Sequence, residues 1–461
     1  MSKSIHPILK EIASFFNDNG KDIYLVGGAV RDMLRGEKNH DWDLATNALP
    51  DEVTAIVKRA GGKVVPTGIK HGTVTIFYKK HNAEVTTFRL ESGYTDGRRP
   101  DQVHYTAEIE EDLSRRDFTM NAIALRLPDG KIVDPFDGEA DIRAGVIRCV
   151  GNPRERFNED GLRPLRAVRF AAQLGFEIEQ ETQDAISGAL CVSAKVSWER
   201  VRDEIDKILA CALPSRAFLL MEKTGLLKLF LGELAVCRGV EQKGFHRFDV
   251  LDHSLIACDY AAANGYSHEL RLASLFHDVG KPAVREMDGS GVWTFYRHEE
   301  VSAEMCREIL NRLRYSNAVI DETCHLIKEH MFHYTEDWTD AAVRRFIARV
   351  GEPNLENMYR LRRADAYAFS RDEKAPHSIL LLANRVEKIL EAGRAFSIKD
   401  LAVTGNDLIE IGINPGRTMG IILNELLETV LDDPRQNTRE KLLEIARKIY
   451  QEKMTDVDHS V

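Results

Sequence analysis

The sequence feature that most constrains this chain is the segment LVGGAVRDMLRGEKNHDWDLAT at residues 25–46. Asp41 and Asp43 stand two positions apart in it, so on a β-strand both carboxylates point to the same face. Such a pair suits Mg²⁺, which takes hard oxygen ligands and keeps room for substrate phosphates. Upstream, Gly27 and Gly28 lead from a predicted strand into a predicted helix, where free backbone N–H groups can bind phosphate. Together these features predict a metal- and phosphate-binding site, although each alone also fits a tight turn or a solvated acid.

The hydrophobic pattern predicts an α/β region followed by a helical one. The 461 residues are enough for about three domains. Alternating apolar residues predict strands at 22–26, 41–45, 73–78 and 84–88. Beyond residue 150 the pattern is helical, with amphipathic stretches at 159–174, 198–210 and 216–230. We therefore predict an α/β head with a mixed sheet (1–150), a helical neck (151–238), a further helical region (239–375) and a helical tail (376–461).

The charge and cysteine content suggest the compartment and limit the partners. The net charge is −10, which argues against a globally basic nucleic-acid binder but leaves a local basic groove open. The seven cysteines are scattered without a C-x-x-C pair, as in a cytoplasmic protein with reduced thiols and no structural zinc. No stretch approaches the roughly 18 apolar residues of a membrane span, and the N-terminus has no apolar signal core. We expect a cytoplasmic protein with no membrane partner.

Four further segments resemble a known enzyme family. SRRDFTMNAIAL (114–125) and ERFNEDGLRPLRAVRF (155–170) resemble the second and fourth motifs of bacterial class II tRNA nucleotidyltransferases, the CCA-adding enzymes. DPFDGEADIRAGVIR (134–148) resembles the third motif, and SWERVRDEIDKIL (197–209) the helical fifth. Bacterial poly(A) polymerases share most of these motifs. The resemblance implies a nucleotidyltransferase head and a reaction that extends an RNA 3′ end.

The resemblance also implies roles for residues of the head. Asp41 and Asp43 would hold two Mg²⁺ ions that activate the RNA 3′-hydroxyl and stabilise the departing pyrophosphate. Glu84, which opens the strand EVTTFR, is the candidate third carboxylate, with a solvated edge acid as the alternative. The remaining candidates for contacts with the nucleotide's phosphates and ribose are Gly28, Arg31, Arg116 and Asp117.

Selection of the base without a template is predicted to involve an arginine-rich helix. Asp160, Arg163, Arg166 and Arg169 recur at intervals of three, which would form one stripe of a helix. Cytosine and adenine both present an amine donor beside a ring-nitrogen acceptor, so a carboxylate and a guanidinium together fit both bases. The resemblance assigns this reading to Asp160 and Arg163, and further nucleotide contacts to Arg166 and Arg169. A solvated arginine face is the alternative.

Gly161 and Pro164 depart from the fourth motif, which more often has good helix formers at these positions. Proline is tolerated only near a helix start, so Pro164 and Gly161 lead us to begin the helix near 158–161. The segment TTFRLESGYTDGRRPDQVHY (86–105) resembles the flexible loop that family members need for adding the terminal A. Its presence favours CCA or A-only addition over CC-only addition.

A second chemical site is predicted in the helical region. His277 and Asp278 are adjacent and followed by Gly-Lys-Pro, which resembles the motif of HD-domain metal phosphohydrolases. The ordered ligand set would be His253, His277, Asp278 and Asp365, and His298 and His330 could complete a second metal position. Imidazoles with carboxylates suit a transition metal better than Mg²⁺ alone. If hydrolysis is retained, the expected substrates are phosphate esters or cyclic phosphates at RNA ends; otherwise the domain is a scaffold.

The combined prediction is an enzyme that adds C, C and A to tRNA from CTP and ATP. Its expected partners are tRNA, ATP and CTP without DNA, and the segment 400–434 resembles the tail region that holds the tRNA elbow. Three alternatives stay open: an A-adding enzyme or poly(A) polymerase, an HD phosphohydrolase with a degenerate head, and a non-enzymatic RNA-binding scaffold. With a net charge of −10, RNA binding predicts a basic RNA-facing side and an acidic remainder.

Overall fold

The computed structural model describes residues 5–37, 41–69, 72–92, 102–242, 247–374, 376–393 and 396–458. It divides into two compact units, Met1–Ala235 and Val236–Val461. The predicted boundary between the neck and the further helical region lies at 238/239, three residues from this division.

The first unit combines a mixed sheet with helices. Its strands are β1 (Ile23–Val26), β2 (Trp42–Thr46), β3 (Lys63–Gly68), β4 (Thr73–Tyr78), β5 (His81–Thr87), β6 (Arg89–Ser92), β7 (Gln102–Tyr105), β8 (Ala124–Arg126), β9 (Ile132–Val133), β10 (Val146–Ile147) and β11 (Glu177–Ile178). Within the described residues, seven of them form one sheet in the order β3-β4-β5-β2-β1-β8-β9. Among the described strand pairs of this sheet, only the β2–β5 pair is parallel. The predicted mixed sheet is confirmed.

The helices of the first unit begin before the sheet and continue beyond it. They are α1 (Pro7–Asn17), α2 (Gly28–Arg35), α3 (Pro50–Arg59), α4 (Ile109–Ser114), α5 (Gly138–Ala144), α6 (Pro153–Glu159), α7 (Arg163–Leu174), α8 (Gln180–Gly188), α9 (Leu190–Ser193), α10 (Trp198–Leu209), α11 (Ser215–Thr224), α12 (Leu226–Phe230) and α13 (Gly232–Ala235). After β9 the unit is mostly helical, as the periodicity predicted.

Strand register determines which side chains of the sheet meet. Every residue of β1 is buried, because β1 lies between β2 and β8 in the interior of the sheet. Leu25 pairs with Leu44, which sets the carboxyl end of β1 beside the amino end of β2. Asp43 pairs with Glu84 across the parallel β2–β5 ladder. The glycine turn after β1 and the acidic residues of two strands therefore lie at the same end of the sheet.

The continuous helix predicted over 159–174 is wrong, and so is its predicted start near 158–161. Helix α6 ends at Glu159, Asp160 is extended with φ −138°, and α7 begins only at Arg163. The backbone of the linker packs tightly, because a Cβ on Gly161 would lie 2.5 Å from the carbonyl oxygen of Val192. Tertiary packing thus interrupts the helical pattern. The stretch predicted as helical at 216–230 is likewise divided at Gly225, whose φ is +88°.

The second unit is almost entirely helical. Its helices are α14 (Val250–Ala263), α15 (His268–Phe276), α16 (His298–Arg312), α17 (Asn317–Glu329), α18 (Asp340–Val350), α19 (Leu355–Ser370), α20 (His377–Glu391), α21 (Gly405–Glu410), α22 (Arg417–Asp432) and α23 (Arg439–Asp458), and β12 (Glu286–Met287) pairs with β13 (Trp293–Thr294). Buried small residues (Ala257, Ala364, Ala368) let α14 and α19 pack closely. None of the described helices has the length and apolar character needed to cross a membrane.

Candidate functional site

A cavity of about 920 Å³ opens in the first unit, beside the ends of β1 and β2. Among the described residues, its walls carry nine cationic side chains (Arg31, Arg89, Arg115, Arg116, Arg163, Arg166, Arg169, Arg200, Lys207) and four acidic ones (Asp41, Asp43, Asp117, Asp160). A chain with a net charge of −10 thus contains a strongly cationic cavity. This arrangement suits a polyanionic ligand such as a nucleoside triphosphate.

The carboxylates at one part of the cavity form a cluster suited to a divalent cation. Asp41 immediately precedes β2, Asp43 lies within it, and both side chains are exposed and line the cavity. Glu84 is exposed beside Asp43 on β5 but does not line the cavity. The protein around Asp43 partly excludes water from its carboxyl group, which raises its pKa. Arg116 opposes this shift, and Glu84 and Asp41 add to it. Hard oxygen donors with excess negative charge fit Mg²⁺.

The turn between β1 and α2 brings arginines to the same cavity. Gly27 has φ +68°, and a Cβ there would lie 3.1 Å from an Nη1 of Arg116, so the missing side chain leaves room for that guanidinium. Gly28 begins α2 and lines the cavity. Arg31 is only 5% exposed and donates to the Asn121 side-chain oxygen at 2.9 Å. The structure therefore brings Gly28, Arg31 and Arg116 together as the sequence predicted, and their roles stay predictions.

Asp117 is the centre of a buried hydrogen-bond network at the cavity wall. Its Oδ1 accepts from Asn121 Nδ2 at 3.1 Å, and its Oδ2 accepts from Arg166 Nε at 2.8 Å. Although burial opposes ionisation, Arg166 and Asn121 hold the pKa of Asp117 at about 2. Asp117 thus holds the Arg166 side chain in place. The sequence predicted a ribose contact for Asp117 and did not predict this role.

Asp160 and Arg163 both line the cavity, but they do not share a helical stripe as predicted. Asp160 lies in the extended linker and is held by Arg200, at 3.1 and 2.7 Å. Arg163, in the first turn of α7, donates to Glu159 Oε2 at 2.5 Å and to the Arg115 carbonyl at 3.0 Å. Each predicted base-reading group is therefore held by a different partner.

Two residues of α10 were missed by the sequence reasoning. Arg200 contacts Asp160, and Glu204, which is 2% exposed, lies 2.7 Å from Arg169 Nε. Burial lowers the pKa of Arg169 to about 10, although Glu204 opposes the shift. The available signal was the four-residue spacing of Arg200 and Glu204, which sets both on one helix face. For the predicted A-addition loop, residues 93–101 lie outside the described residues, and β6 and β7 flank them.

The second unit brings the predicted histidines and carboxylates into one buried cluster. His253 Nε2 lies 3.2 Å from His277 Nε2 and 3.0 Å from Asp365 Oδ1. His277 Nε2 lies 3.3 Å from Asp278 Oδ2, and His298 Nε2 lies 3.2 Å from Asp278 Oδ1. His330, the remaining member, has a ring nitrogen within 4.8 Å of ligand atoms of His277 and Asp278. The donor set of imidazoles and carboxylates is suited to a transition metal.

Backbone carbonyls orient three of these imidazoles. The Nδ1 atoms of His277, His298 and His330 lie 2.9, 2.9 and 2.6 Å from the carbonyl oxygens of the residues three positions earlier. A carbonyl oxygen only accepts, so Nδ1 carries the proton and Nε2 of the neutral ring is left for a metal. This is the arrangement that metal-ligating histidines adopt in proteins.

The pKa shifts of His330 and Asp278 favour the neutral imidazole and the ionised carboxylate, which are the forms that bind a metal. Burial, reinforced by His277, lowers the pKa of His330 to about 3. Burial opposes ionisation of Asp278, yet His277 and Lys281 hold its pKa well below the ordinary value. His277 is the exception: despite burial, Asp278 and Asp365 raise its pKa to about 10, so it must lose a proton when it binds a metal.

Comparisons with known proteins identify the family. Residues 23–148 match the Poly A polymerase head domain, 175–237 the RNA and SrmB-binding site of polymerase A, and 289–446 tRNA nucleotidyltransferase domain 2. The CCA-adding enzyme of Lactiplantibacillus plantarum is 34% identical over 451 residues, 95% of this chain and 95% of that protein. This chain belongs to the CCA-adding enzyme family.

Two other CCA-adding enzymes extend the comparison. The enzyme of Lactobacillus johnsonii is 49% identical over 220 residues, which are 48% of this chain and 53% of that protein's length. The crystal structure of the Bacillus stearothermophilus CCA-adding enzyme in complex with CTP superposes with a TM-score of 0.72 at 29% identity. That alignment covers 98% of this chain and 100% of the other.

Proposed function

We propose that this chain adds C, C and A to the 3′ end of tRNA from CTP and ATP and releases pyrophosphate. The observation that carries the proposal is the cationic cavity whose walls carry Asp41 and Asp43 as well as Asp160 and Arg163. The proposed carboxylates for metal-dependent transfer and the proposed groups for base selection would therefore share one site. Family membership and the likeness to a structure titled as a complex with CTP support the same substrates.

The reaction joins the RNA 3′-oxygen to the α-phosphorus of the nucleotide and breaks the bond to pyrophosphate. Asp41 and Asp43, with Glu84 as a candidate third carboxylate, would hold the divalent ion. That ion supplies positive charge for activating the 3′-hydroxyl and for stabilising the pyrophosphate. Arg31 and Arg116 would hold the phosphates with the backbone N–H groups at Gly28.

Base selection follows from hydrogen-bond complementarity. Asp160 would accept from the exocyclic amine of cytosine or adenine, and Arg163 would donate to the adjacent ring nitrogen. Uracil and guanine present the opposite order of donor and acceptor. Each would leave buried polar groups unpaired, at about 1–3 kcal/mol per group.

The test is incorporation of labelled CTP and ATP into tRNA that ends at the discriminator base. We expect the full-length chain to add two C residues and one A in the presence of Mg²⁺, and Asp43→Asn to add none. Asp18→Asn, at an exposed position after α1, is the matched control and should retain wild-type activity. Addition of A without C would instead favour an A-adding enzyme or poly(A) polymerase.

A metal-dependent phosphohydrolase in the second unit is a second candidate function. The buried cluster around His277 and Asp278, with three imidazoles oriented by carbonyls, is the specific observation that favours it. We propose a transition metal as its cofactor and phosphate esters or cyclic phosphates at RNA ends as its substrates. The two oxygens of Asp278 face different histidines, which suits a carboxylate shared between two metal positions.

Metal analysis and hydrolysis assays test this candidate. The purified chain should contain bound Ni²⁺, Mn²⁺, Co²⁺ or Zn²⁺ and hydrolyse an RNA 2′,3′-cyclic phosphate. His277→Asn should lose both properties, whereas His333→Asn, at an exposed histidine of the same unit, should keep them. A wild-type chain that binds metal without hydrolysis would favour a scaffold role.

The proposal includes tRNA as the macromolecular partner and the cytoplasm as the location. The matches to an RNA-binding site of polymerase A and to a tRNA nucleotidyltransferase domain support tRNA as the partner. All seven cysteines lie in the described part of the chain and are free thiols, which is typical of a reducing compartment.

A further inference from the structure

The predicted fifth motif is the part of the first unit whose role the proposed function leaves open. It forms α10, and its side chains contact residues at the cavity wall. Arg200 pairs with Asp160, and Glu204 pairs with Arg169. Helix α10 thus supplies a cation to the predicted base-reading acid and an anion to one of the nucleotide-binding arginines.

The Arg200–Asp160 contact has the geometry of a two-point fork. Arg200 Nη1 lies 3.1 Å from Asp160 Oδ1, and Nη2 lies 2.7 Å from Oδ2. The two side chains are 24% and 18% exposed, so water only partly screens the pair. A guanidinium that binds both oxygens fixes the plane of a carboxylate as well as its position.

Asp160 needs such a partner because its backbone lies outside regular structure. It follows the last residue of α6 in an extended conformation, with φ −138° and ψ 108°. Its Oδ1 accepts a second hydrogen bond, from the backbone N–H of Leu162 at 3.0 Å. Tight packing of Gly161 against Val192 fixes the backbone of the linker. Arg200, which lies on α10, fixes the carboxylate of Asp160.

The two oxygens of Asp160 differ in how many donors they meet. Oδ1 accepts from both Arg200 and Leu162, whereas among the described residues Oδ2 accepts from Arg200 alone. A carboxylate oxygen has two lone-pair positions. Oδ2 therefore keeps one acceptor position for a ligand at the cavity that Asp160 lines.

We infer that Arg200 is a positioning residue for nucleobase selection, which orients Asp160 so that its Oδ2 accepts from the exocyclic amine of cytosine or adenine. The inference rests on the proposed function, because it requires Asp160 to read the base. Uracil and guanine bring a carbonyl oxygen to the position of that amine. A carboxylate held in one orientation repels that oxygen, whereas a carboxylate free to rotate can avoid it.

The test compares nucleotide discrimination by the full-length chain and its variants. We measure kcat/KM for CTP, ATP, UTP and GTP on tRNA, and the melting temperature of every variant. Arg200→Ala should lower kcat/KM for CTP and ATP by about 100-fold, the typical effect of misplacing a binding group by about 1 Å. UTP and GTP should lose much less, so discrimination should fall by about tenfold or more.

Two further substitutions separate positioning from stability. Arg200→Lys keeps the charge but lacks the planar fork, so it should fold and still lose discrimination. This variant carries the test if Arg200→Ala does not fold. Arg202→Ala, on the same helix and outside the residues that line the cavity, is the matched control and should discriminate like the wild type.

A double-variant cycle tests whether Arg200 acts through Asp160. In a chain that already carries Asp160→Ala, adding Arg200→Ala should change kcat/KM for CTP by less than about twofold, because substitutions of contacting residues have non-additive effects. The inference is overturned if the two effects multiply fully, or if Arg200→Lys discriminates like the wild type. It is also overturned if all four nucleotides lose equally. A wild-type chain that adds neither C nor A would refute the proposed function itself. The reactions with the wild-type chain measure this outcome separately from the variants.

Discussion

Buried charge in the cavity is stabilised by specific pairs, and Asp117 is the clearest example. Its carboxylate accepts from Arg166 and from the Asn121 side chain, and its side chain is 10% exposed. An unpaired carboxylate at this depth would be costly, so the arginine contributes to folding as well as to the cavity's charge. Asp117 is therefore expected to affect the free energy of unfolding and its dependence on pH.

Replacing Asp117 by Asn should lower the free energy of unfolding at pH 7. The folded pKa of about 2 lies below the unfolded value. This lowered pKa makes ionised Asp117 worth about 2 kcal/mol, fully present above about pH 4 and lost as the pH falls towards 2. Denaturant unfolding of both chains across this range measures the effect.

The control for Asp117 is Asp129, whose pair with Arg126 is exposed on the surface. Asp129→Asn should change the free energy of unfolding by less than about 1 kcal/mol, as exposed ion pairs do. If the difference in free energy of unfolding between wild type and Asp117→Asn stays constant down to about pH 2, ionisation of Asp117 does not stabilise the fold as proposed.

At the level of elements, the break between α6 and α7 determines where the predicted base-reading groups lie. Gly161 has no room for a side chain, because an added Cβ would meet the backbone of Val192 and Ser193 at 2.5–2.8 Å. Pro164 follows in the first turn of α7, where a missing N–H costs nothing. The linker thus separates Asp160 from the arginines of α7 and brings it to α10.

Replacing Gly161 by Ala should damage this linker. The new methyl group collides with backbone, which cannot rotate away, so we expect a destabilisation of about 1–3 kcal/mol. Displacement of Asp160 should also lower kcat/KM for CTP by about tenfold or more. Denaturant unfolding and single-nucleotide incorporation measure the two effects.

Gly188→Ala is the matched control for the Gly161 substitution. Gly188 is exposed at the end of α8, with no atom within 4 Å of an added Cβ. Because alanine favours helix over glycine, this variant should be unchanged or more stable by up to about 1 kcal/mol. Equal behaviour of the two alanine variants would refute the packing argument.

For the whole molecule, the two candidate chemical sites belong to different units. The cavity is built from residues of the first unit, whereas the histidine cluster is built from the second. Each site has its own donor chemistry: oxygen ligands suited to Mg²⁺ in one and imidazoles with carboxylates in the other.

The two activities should therefore be separable by substitution. Asp43→Asn should abolish nucleotide addition and leave the metal content of the second unit unchanged. Asp278→Asn should reduce that metal content and cyclic-phosphate hydrolysis at least about tenfold, since it removes a charged ligand. Its rate of nucleotide addition should stay within about twofold of wild type, because substitutions at sites that share no residues usually act independently.

Melting curves exclude unfolding as the cause of either loss. If Asp278→Asn abolished nucleotide addition in a folded chain, the two sites would be coupled and the separation wrong. If Asp43→Asn left nucleotide addition intact, the head would not be the transferase site.

Much of the site was predictable because local signals suffice for it. Strand alternation at 73–78 coincides with β4. The glycine turn and the two aspartates, which the sequence assigned to one site, lie at the same end of the sheet. The adjacent His277 and Asp278 likewise marked a cluster that forms from distant helices. These signals depend on residue type and short spacing, which a sequence displays directly.

By itself, the sequence determined the family, the mixed head sheet and the identity of the chemical groups. Only the tertiary structure decided how those groups are held: Asp160 in an extended linker, its carboxylate on Arg200, and Arg169 on Glu204. The reason is that spacing of three residues predicts a helical stripe, whereas contact between Gly161 and Val192 depends on chain segments about thirty residues apart. Long-range packing overrode the local helical pattern, and a net charge of −10 proved compatible with a cationic cavity.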